Sequence, residues 1–152
     1  MIEGVVIKEL VPHADERQTF REIIRVTDSF FEEGFGQLSY ACMNPGTAKA
    51  WHIHEVQVDW WYVPIGALKL VLHDKRDNTA TSGLTQEILL GPEYGHRVVK
   101  VPPGVAHGCK VIGDTTHLFY VTSNPYNPED EGRIPYDDEE IGYDWSAGPP
   151  IT

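Results

Sequence analysis

From Gly46 to Gly66 the chain reads GTAKAWHIHEVQVDWWYVPIG, and no other stretch restricts the fold as much. Two histidines one residue apart sit in a strand-like run, and in extended backbone residues i and i+2 point to one face. His52 and His54 therefore aim at the same cavity, with Trp51 and Ile53 turned away. Asp59 follows in the next apolar run, VDWWYV, and Gly66 closes it. This predicts a hairpin that carries an acid back across the cavity. The other half is expected from residues 101–107, VPPGVAH, where a Pro-Pro-Gly turn delivers His107 after a further apolar run.

Around this stretch the chain is a series of short alternating runs. Residues 3–10 predict an opening strand ended by Pro12, and a charged turn at residues 15–22 leads into an alternating run at 22–26. Residues 28–36, acidic and carrying Phe30, Phe31 and Phe35, predict a short helix or buried loop. Strands are then expected at 37–43, 67–73, 85–90, 95–101 and 116–123, with turns at Asn44-Pro45-Gly46 and Gly91-Pro92. Strands at this spacing with no helical pattern of useful length predict an all-β antiparallel barrel or jelly roll. From residue 124 the chain turns acidic and proline-rich. Tyr126, Tyr136, Tyr143 and Trp145 predict an irregular tail, about 124–152, held on the barrel by aromatic anchors and otherwise a solvated surface.

A length of 152 residues suits one domain, 1–152, and no internal repeat is visible. The formal net charge of -11 excludes a nucleic-acid surface, which needs a basic face to neutralise phosphates. Any phosphate ligand must meet a few placed cations. No signal segment or membrane-length apolar run is present, and Cys42 and Cys109 are read as two buried thiols, which together predict a reducing cytoplasm.

Two histidine motifs flanked by glycine turns resemble the cupins, small β-barrels with an interior site. The first follows their pattern: Gly46, five residues, His52-x-His54, four residues, Asp59 where cupins usually carry glutamate, six residues, Gly66. The second, Pro102-x-Gly104-x-x-His107, lacks the asparagine usual shortly afterwards. Over nearly its whole length the chain further resembles one cupin family, the dTDP-4-dehydrorhamnose 3,5-epimerases. The matching residues, in order, are Asp15-x-Arg17-x-x-Phe20-x-Glu22, Gln37, His52, Pro103 to Gly108, Tyr120, Tyr126-Asn127-Pro128, Asp137-Asp138 and Asp144-Trp145. The resemblance implies a cupin jelly roll that moves a proton at carbons beside the ketone of a nucleotide-linked 4-keto-6-deoxyhexose, without a cofactor. His52 would be the base and Tyr120 the acid on the opposite face, with His107 and Lys49 also in the catalytic set. Arg17, Phe20, Glu22 and Gln37 would hold the nucleotide and its diphosphate, partly across a homodimer interface, and Tyr126 would line the sugar site.

The chain also departs from that family. Lys49 stands for an arginine and keeps the charge without the bidentate fork. Asp59 stands for the enolate-stabilising lysine, and His54 occupies a position ordinarily not ionisable. The family's base-supporting aspartate lies in a C-terminal extension with no counterpart after Trp145, which leaves open what supports His52. With these changes His52, His54, Asp59 and His107 complete a spacing suited to a divalent first-row metal (Zn, Fe, Mn or Ni). The alternatives are therefore a metal cupin, an oxygenase or metal-assisted isomerase, and a non-catalytic sugar-binding cupin. His13, His73, His96 and His117 are read as ordinary core or surface residues, and Trp60, Trp61 and Tyr62 as core.

Overall fold

Most of the alternating runs pair into two five-stranded antiparallel sheets that face one another. The computed structural model describes residues 1–149, and the last three positions of the expected 1–152 domain lie outside the described residues. The strands are β1 (Val6–Glu9), β2 (His13–Ala14), β3 (Thr19–Phe20), β4 (Gln37–Met43), β5 (Ala48–His54) and β6 (Asp59–Ile65). They continue with β7 (Leu68–Asp74), β8 (Thr85–Leu90), β9 (Arg97–Val101), β10 (Val105–Val111), β11 (Thr116–Thr122) and β12 (Glu131–Arg133). One sheet runs β1-β9-β6-β11-β4, the other β12-β5-β10-β7-β8, and β2 pairs with β3. This is the all-β jelly roll expected from the spacing of the runs.

Apolar side chains are buried on both faces of each sheet, which explains why VDWWYV does not alternate. Between the sheets Leu68, Leu70 and Leu72, all fully buried, meet Val99, Val101 and Leu118. On the outer face of the first sheet Trp60, Tyr62 and Val98 are covered by Phe30 and Phe31 of a short 3-10 turn, Ser29–Phe31. The Trp60 indole N–H donates to the Phe30 carbonyl at 3.0 Å and pins that turn. On the outer face of the second sheet Trp51, Val71 and Ala106 are covered by Ile141, Tyr143 and Trp145 of the tail. Gly66 has φ +92, and a Cβ there would lie 2.4 Å from the Thr116 hydroxyl, so only glycine fits the turn between β6 and β7.

Several local expectations change. Strands β5 and β6 are not a hairpin: β5 pairs with β10 and β12, and β6 with β9 and β11. The chain crosses between sheets at residues 55–58, so His54 and Asp59 face each other from opposite walls. Nor do the two histidine stretches form opposite halves of the cavity, because His107 lies beside His52 in the β10–β5 register. Residues 22–26 form no strand, since no segment among the described residues pairs with them. The tail contains β12, which pairs with β5. Among its expected anchors, Tyr143 and Trp145 pack, whereas Tyr126 and Tyr136 are exposed. Cys109 is buried but Cys42 is exposed on the edge strand β4, and both are free. The four histidines read as ordinary take local partners: His73 bonds Thr85, His96 bonds Tyr62, His117 bonds Tyr40, and His13 lies against Phe20.

Docking of the tail depends on a missing side chain. A Cβ at Gly108 would lie 2.7 Å from both the Lys49 carbonyl and the Trp145 ring. Gly108→Ala is expected to displace Trp145 and cost about 1–3 kcal/mol, as overpacking does. A lowered melting temperature together with red-shifted tryptophan emission would be the readout.

Candidate active site

A cavity of about 170 Å³ opens between the sheets, with β5 and β10 as one wall and β6, β11 and β4 as the other. From β5 come Lys49, His52 and His54, from β10 His107, from β6 Asp59 and Trp61, and from β11 Tyr120. Strict alternation from His52 and His54 would turn Lys49 outward. The β5–β10 register instead slips, His107 pairing with His52 and Cys109 with Lys49, so two residues of β5 face one of β10. This bulge brings Lys49 onto the cavity face. Its charge, together with the Lys49 backbone, opposes the burial that pushes the Cys109 thiol up to about 11, leaving Cys109 a buried, protonated thiol.

His52 points its Nδ1 at Glu131 Oε1, 3.0 Å away. The carboxylate accepts from Nδ1–H, which leaves the Nε2 lone pair for the cavity. Burial lowers the His52 pKa, with the Glu131 charge opposing the shift, so the ring is neutral at neutral pH. Glu131 is mostly buried and comes from β12, where it pairs in register with His54. Next to it Asp130 accepts from the N–H groups of Glu55 and Val56 at 2.9 and 3.0 Å through one oxygen, and of Gln57 at 3.0 Å through the other. Burial alone would raise the Asp130 carboxyl, but these three donors hold it below the usual carboxylate range.

Opposite, Asp59 is 4% exposed and accepts from Gln57 Nε2 at 2.8 Å and Trp61 Nε1 at 3.3 Å. His107 Nε2 stands 3.6 Å from Asp59 Oδ2, and burial lowers the His107 pKa despite that neighbour. Of the four residues given metal-type spacing, His54, Asp59 and His107 bring one ligand atom each within 4.8 Å of one another. His52, whose Nδ1 faces Glu131 of β12, is not in that trio.

Gln37 and Tyr126 stand together at the cavity edge, the Tyr126 N–H donating to Gln37 Oε1 at 2.9 Å. Arg17, Phe20 and Glu22 do not line the cavity within one chain. Arg17 is exposed and pairs with Asp15 at 2.6 Å, Glu22 lies 3.6 Å from Arg25, and Phe20 is 52% exposed. The residues that sequence reasoning missed are Asp130 and Glu131, read as solvated tail. Their only sequence signal is an Asn127-Pro128 turn followed by acids and a glycine, a pattern that surface loops share.

A jelly roll with three imidazoles, two carboxylates and an inward tyrosine around one cavity defines a cupin with an acid–base site. The chain belongs to the dTDP-4-dehydrorhamnose 3,5-epimerase family, whose model matches residues 1–152. Among its relatives is the spore coat polysaccharide biosynthesis protein SpsL of Bacillus subtilis, 42% identical over 97% of this chain and 98% of the relative. Another is the probable low-salt glycan biosynthesis epimerase Agl13 of Haloferax volcanii, 35% identical over 96% of each. A dTDP sugar isomerase from Desulfovibrio desulfuricans superposes with a TM-score of 0.88 at 28% identity, covering 97% of this chain and 94% of that one. An epimerase from Legionella pneumophila, solved in complex with dTDP-4-keto-L-rhamnose, superposes at 0.84 with 26% identity, covering 99% and 83%.

Asp130 generates a pH-dependent expectation. A carboxyl whose folded pKa is depressed contributes stability above its unfolded pKa and loses it as pH falls through the folded value. Asp130→Asn should therefore lower stability by about 1–2 kcal/mol at neutral pH, as loss of a helix-cap acceptor does. Thermal melts should show that deficit shrinking as pH falls below about 4.

Proposed function

We propose that this chain epimerises a nucleotide-linked, dTDP-type 4-keto-6-deoxy sugar by taking and returning a proton at a carbon beside the ketone. The observation that carries this reading is His52, backed by Glu131, on one sheet with Tyr120 on the other. A ketone acidifies its neighbouring C–H bonds, and a neutral imidazole whose basic nitrogen faces the ring can remove such a proton. Glu131 then stabilises the imidazolium across the Nδ1 hydrogen bond. Return of a proton from the same side regenerates substrate, whereas return by the Tyr120 phenol from the opposite wall inverts the carbon. Lys49 supplies positive charge toward the anionic intermediate or the diphosphate. Proton removal and return is redox-neutral and consumes no cofactor.

The cavity is below the roughly 300–1,000 Å³ of pockets that enclose drug-sized ligands. It suits the sugar, and the nucleotide extends past Gln37 and Tyr126. There Arg17, Phe20 and Glu22 of a second copy complete its site, which makes the protein a homodimer. Supporting this are Phe20, exposed on the small β2–β3 ribbon, Val26, exposed just after it, and Leu38 and Tyr40, exposed on the edge strand β4. Residues 1–152 form one domain in this reading, and it works in the cytoplasm, where nucleotide sugars are made. Among the described residues no helix is long and apolar enough to cross a membrane.

The test is a 4-keto-6-deoxy dTDP-sugar in deuterated water, followed by NMR. Deuterium should enter at the epimerised carbon, and His52→Ala should slow entry by about 10²–10⁴-fold, the usual contribution of a general base. Tyr120→Phe should keep exchange but yield little epimer. Glu131→Gln should lower kcat with KM little changed, and Glu131→Asp should recover part of it. Absence of exchange with every such sugar would sink the reading.

Light scattering tests the assembly separately. A two-fold mass is expected, with Arg17→Ala weakening dTDP binding without altering that mass. A monomer at working concentration would remove the shared nucleotide site.

A further inference from the structure

Among the described residues the carboxylate of Asp59 has no full cation beside it. It is almost wholly buried, and its contacts are a glutamine amide, an indole and an imidazole edge. Buried carboxylates are ordinarily paired with cations or coordinate metals. The tautomers of the surrounding histidines sharpen the point. His107 Nδ1 stands 3.2 Å from the Val105 carbonyl oxygen, which can only accept, so the proton is on Nδ1 and Nε2 presents a lone pair. That lone pair faces Asp59 Oδ2 at 3.6 Å, two acceptors with no hydrogen between them. His54 repeats the arrangement. Its buried Nδ1 has no hydrogen-bond partner among the described residues and lies 3.9 Å from Asp130 Oδ2, while Nε2 lies 3.3 Å from the Gln57 amide nitrogen. That amide nitrogen has only hydrogens to offer, so His54 Nε2 is also a lone pair.

Three electron-pair donors therefore converge, one each from His54, Asp59 and His107, within 4.8 Å of one another. His107 has an oxygen acceptor bonded behind its other nitrogen, as metal-ligating histidines do, and His54 has the Asp130 carboxylate on that side at 3.9 Å. We propose that these three residues form a site for a divalent first-row cation, two imidazoles and one carboxylate leaving a coordination face open to the cavity. His52 is not part of the set, since the ligand atoms gathered within 4.8 Å are those of His54, Asp59 and His107, so metal binding and a free His52 Nε2 coexist. Ligand bonds of about 2.1 Å require donors about 3–3.5 Å apart, so the ion draws the trio together and displaces the Gln57 amide that bridges His54 and Asp59. On the open face the ion would polarise a substrate carbonyl oxygen, a role that rests on the epimerase reading, whereas binding itself does not.

The experiment is titration of chelator-stripped, desalted protein with Co²⁺, read by visible d–d absorption and by calorimetry. One ion per chain is expected, with Zn²⁺ displacing it. His54→Ala and Asp59→Asn should each weaken binding by at least tenfold, and Gln57→Ala should preserve or tighten it. His52→Asn should leave it unchanged, with circular dichroism verifying that each variant is folded. Should Asp59→Asn fail to fold, His54→Ala alone decides. No saturable Co²⁺ signal at millimolar metal, or binding lost with His52 but kept without His54, overturns the site. Deuterium exchange separates the two proposals. Exchange without metal binding removes the site and leaves the epimerase, whereas metal binding without exchange does the reverse.

Discussion

The carboxylate of Asp130 decides where three strands meet. The chain passes from one sheet to the other between His54 and Asp59, and the tight passage exposes the N–H groups of Glu55, Val56 and Gln57 without strand partners. Asp130 accepts from all three. A cluster of donors closed by one anion resembles the capping of a helix N-terminus, and like a cap it fixes the direction in which the chain leaves. Here it sets His54 and Asp59 on facing walls. Because Asp130 directly precedes β12, the same contact fixes the β12–β5 register and brings Glu131 to His52. The crossover, the register and the carboxylate behind His52 thus follow from one interaction.

The tail completes the fold as well as the site. An outer sheet face bearing Trp51, Val71 and Ala106 would be left apolar and wet without Ile141, Tyr143 and Trp145. Burying aromatic side chains of this size is worth a few kcal/mol each, enough to hold a segment of little regular structure. The Lys110 ammonium adds a bond to the Trp145 carbonyl at 2.7 Å. Asp74 anchors the far end of the same sheet, receiving Arg76, Thr79 and Thr81, and these donors overcome burial to hold its carboxyl far below the usual range.

Much of this was legible in the sequence where periodicity and punctuation speak. The strand series, the Asn44-Pro45-Gly46 and Gly91-Pro92 turns, the inward faces of His52 and His54 and the buried Phe30–Phe31 turn all follow from local pattern. Pairing partners did not. Two apolar runs separated by four residues read as a hairpin, yet EVQV carries no turn residue, and its amides depend on an acid more than seventy positions away. The bulge that turns Lys49 inward likewise exists only in the register with β10. Glu131 and Asp130 were hidden for the same reason: an acid in an acidic tail carries no mark of what it will face. Residues 22–26 alternate correctly for a strand, but alternation supplies no neighbour.

The two histidines of the central strand share a face and a residue type, and their local partners separate their roles. Behind His52 stands Glu131, behind His54 Asp130, and behind His107 the Val105 carbonyl. All three therefore turn Nε2 into one cavity, and the difference lies in what each nitrogen meets. Asp59 and the Gln57 amide stand before His54 and His107, while among the described residues no protein group bonds His52 Nε2. A nitrogen facing open cavity can exchange a proton with a substrate. One facing a buried carboxylate meets a second acceptor, an arrangement that a cation between the two would satisfy. Asp59 thereby divides a single pocket into a half suited to moving protons and a half suited to holding positive charge. An enolate needs both halves within reach of one ring, because the proton leaves from carbon while the charge gathers on oxygen.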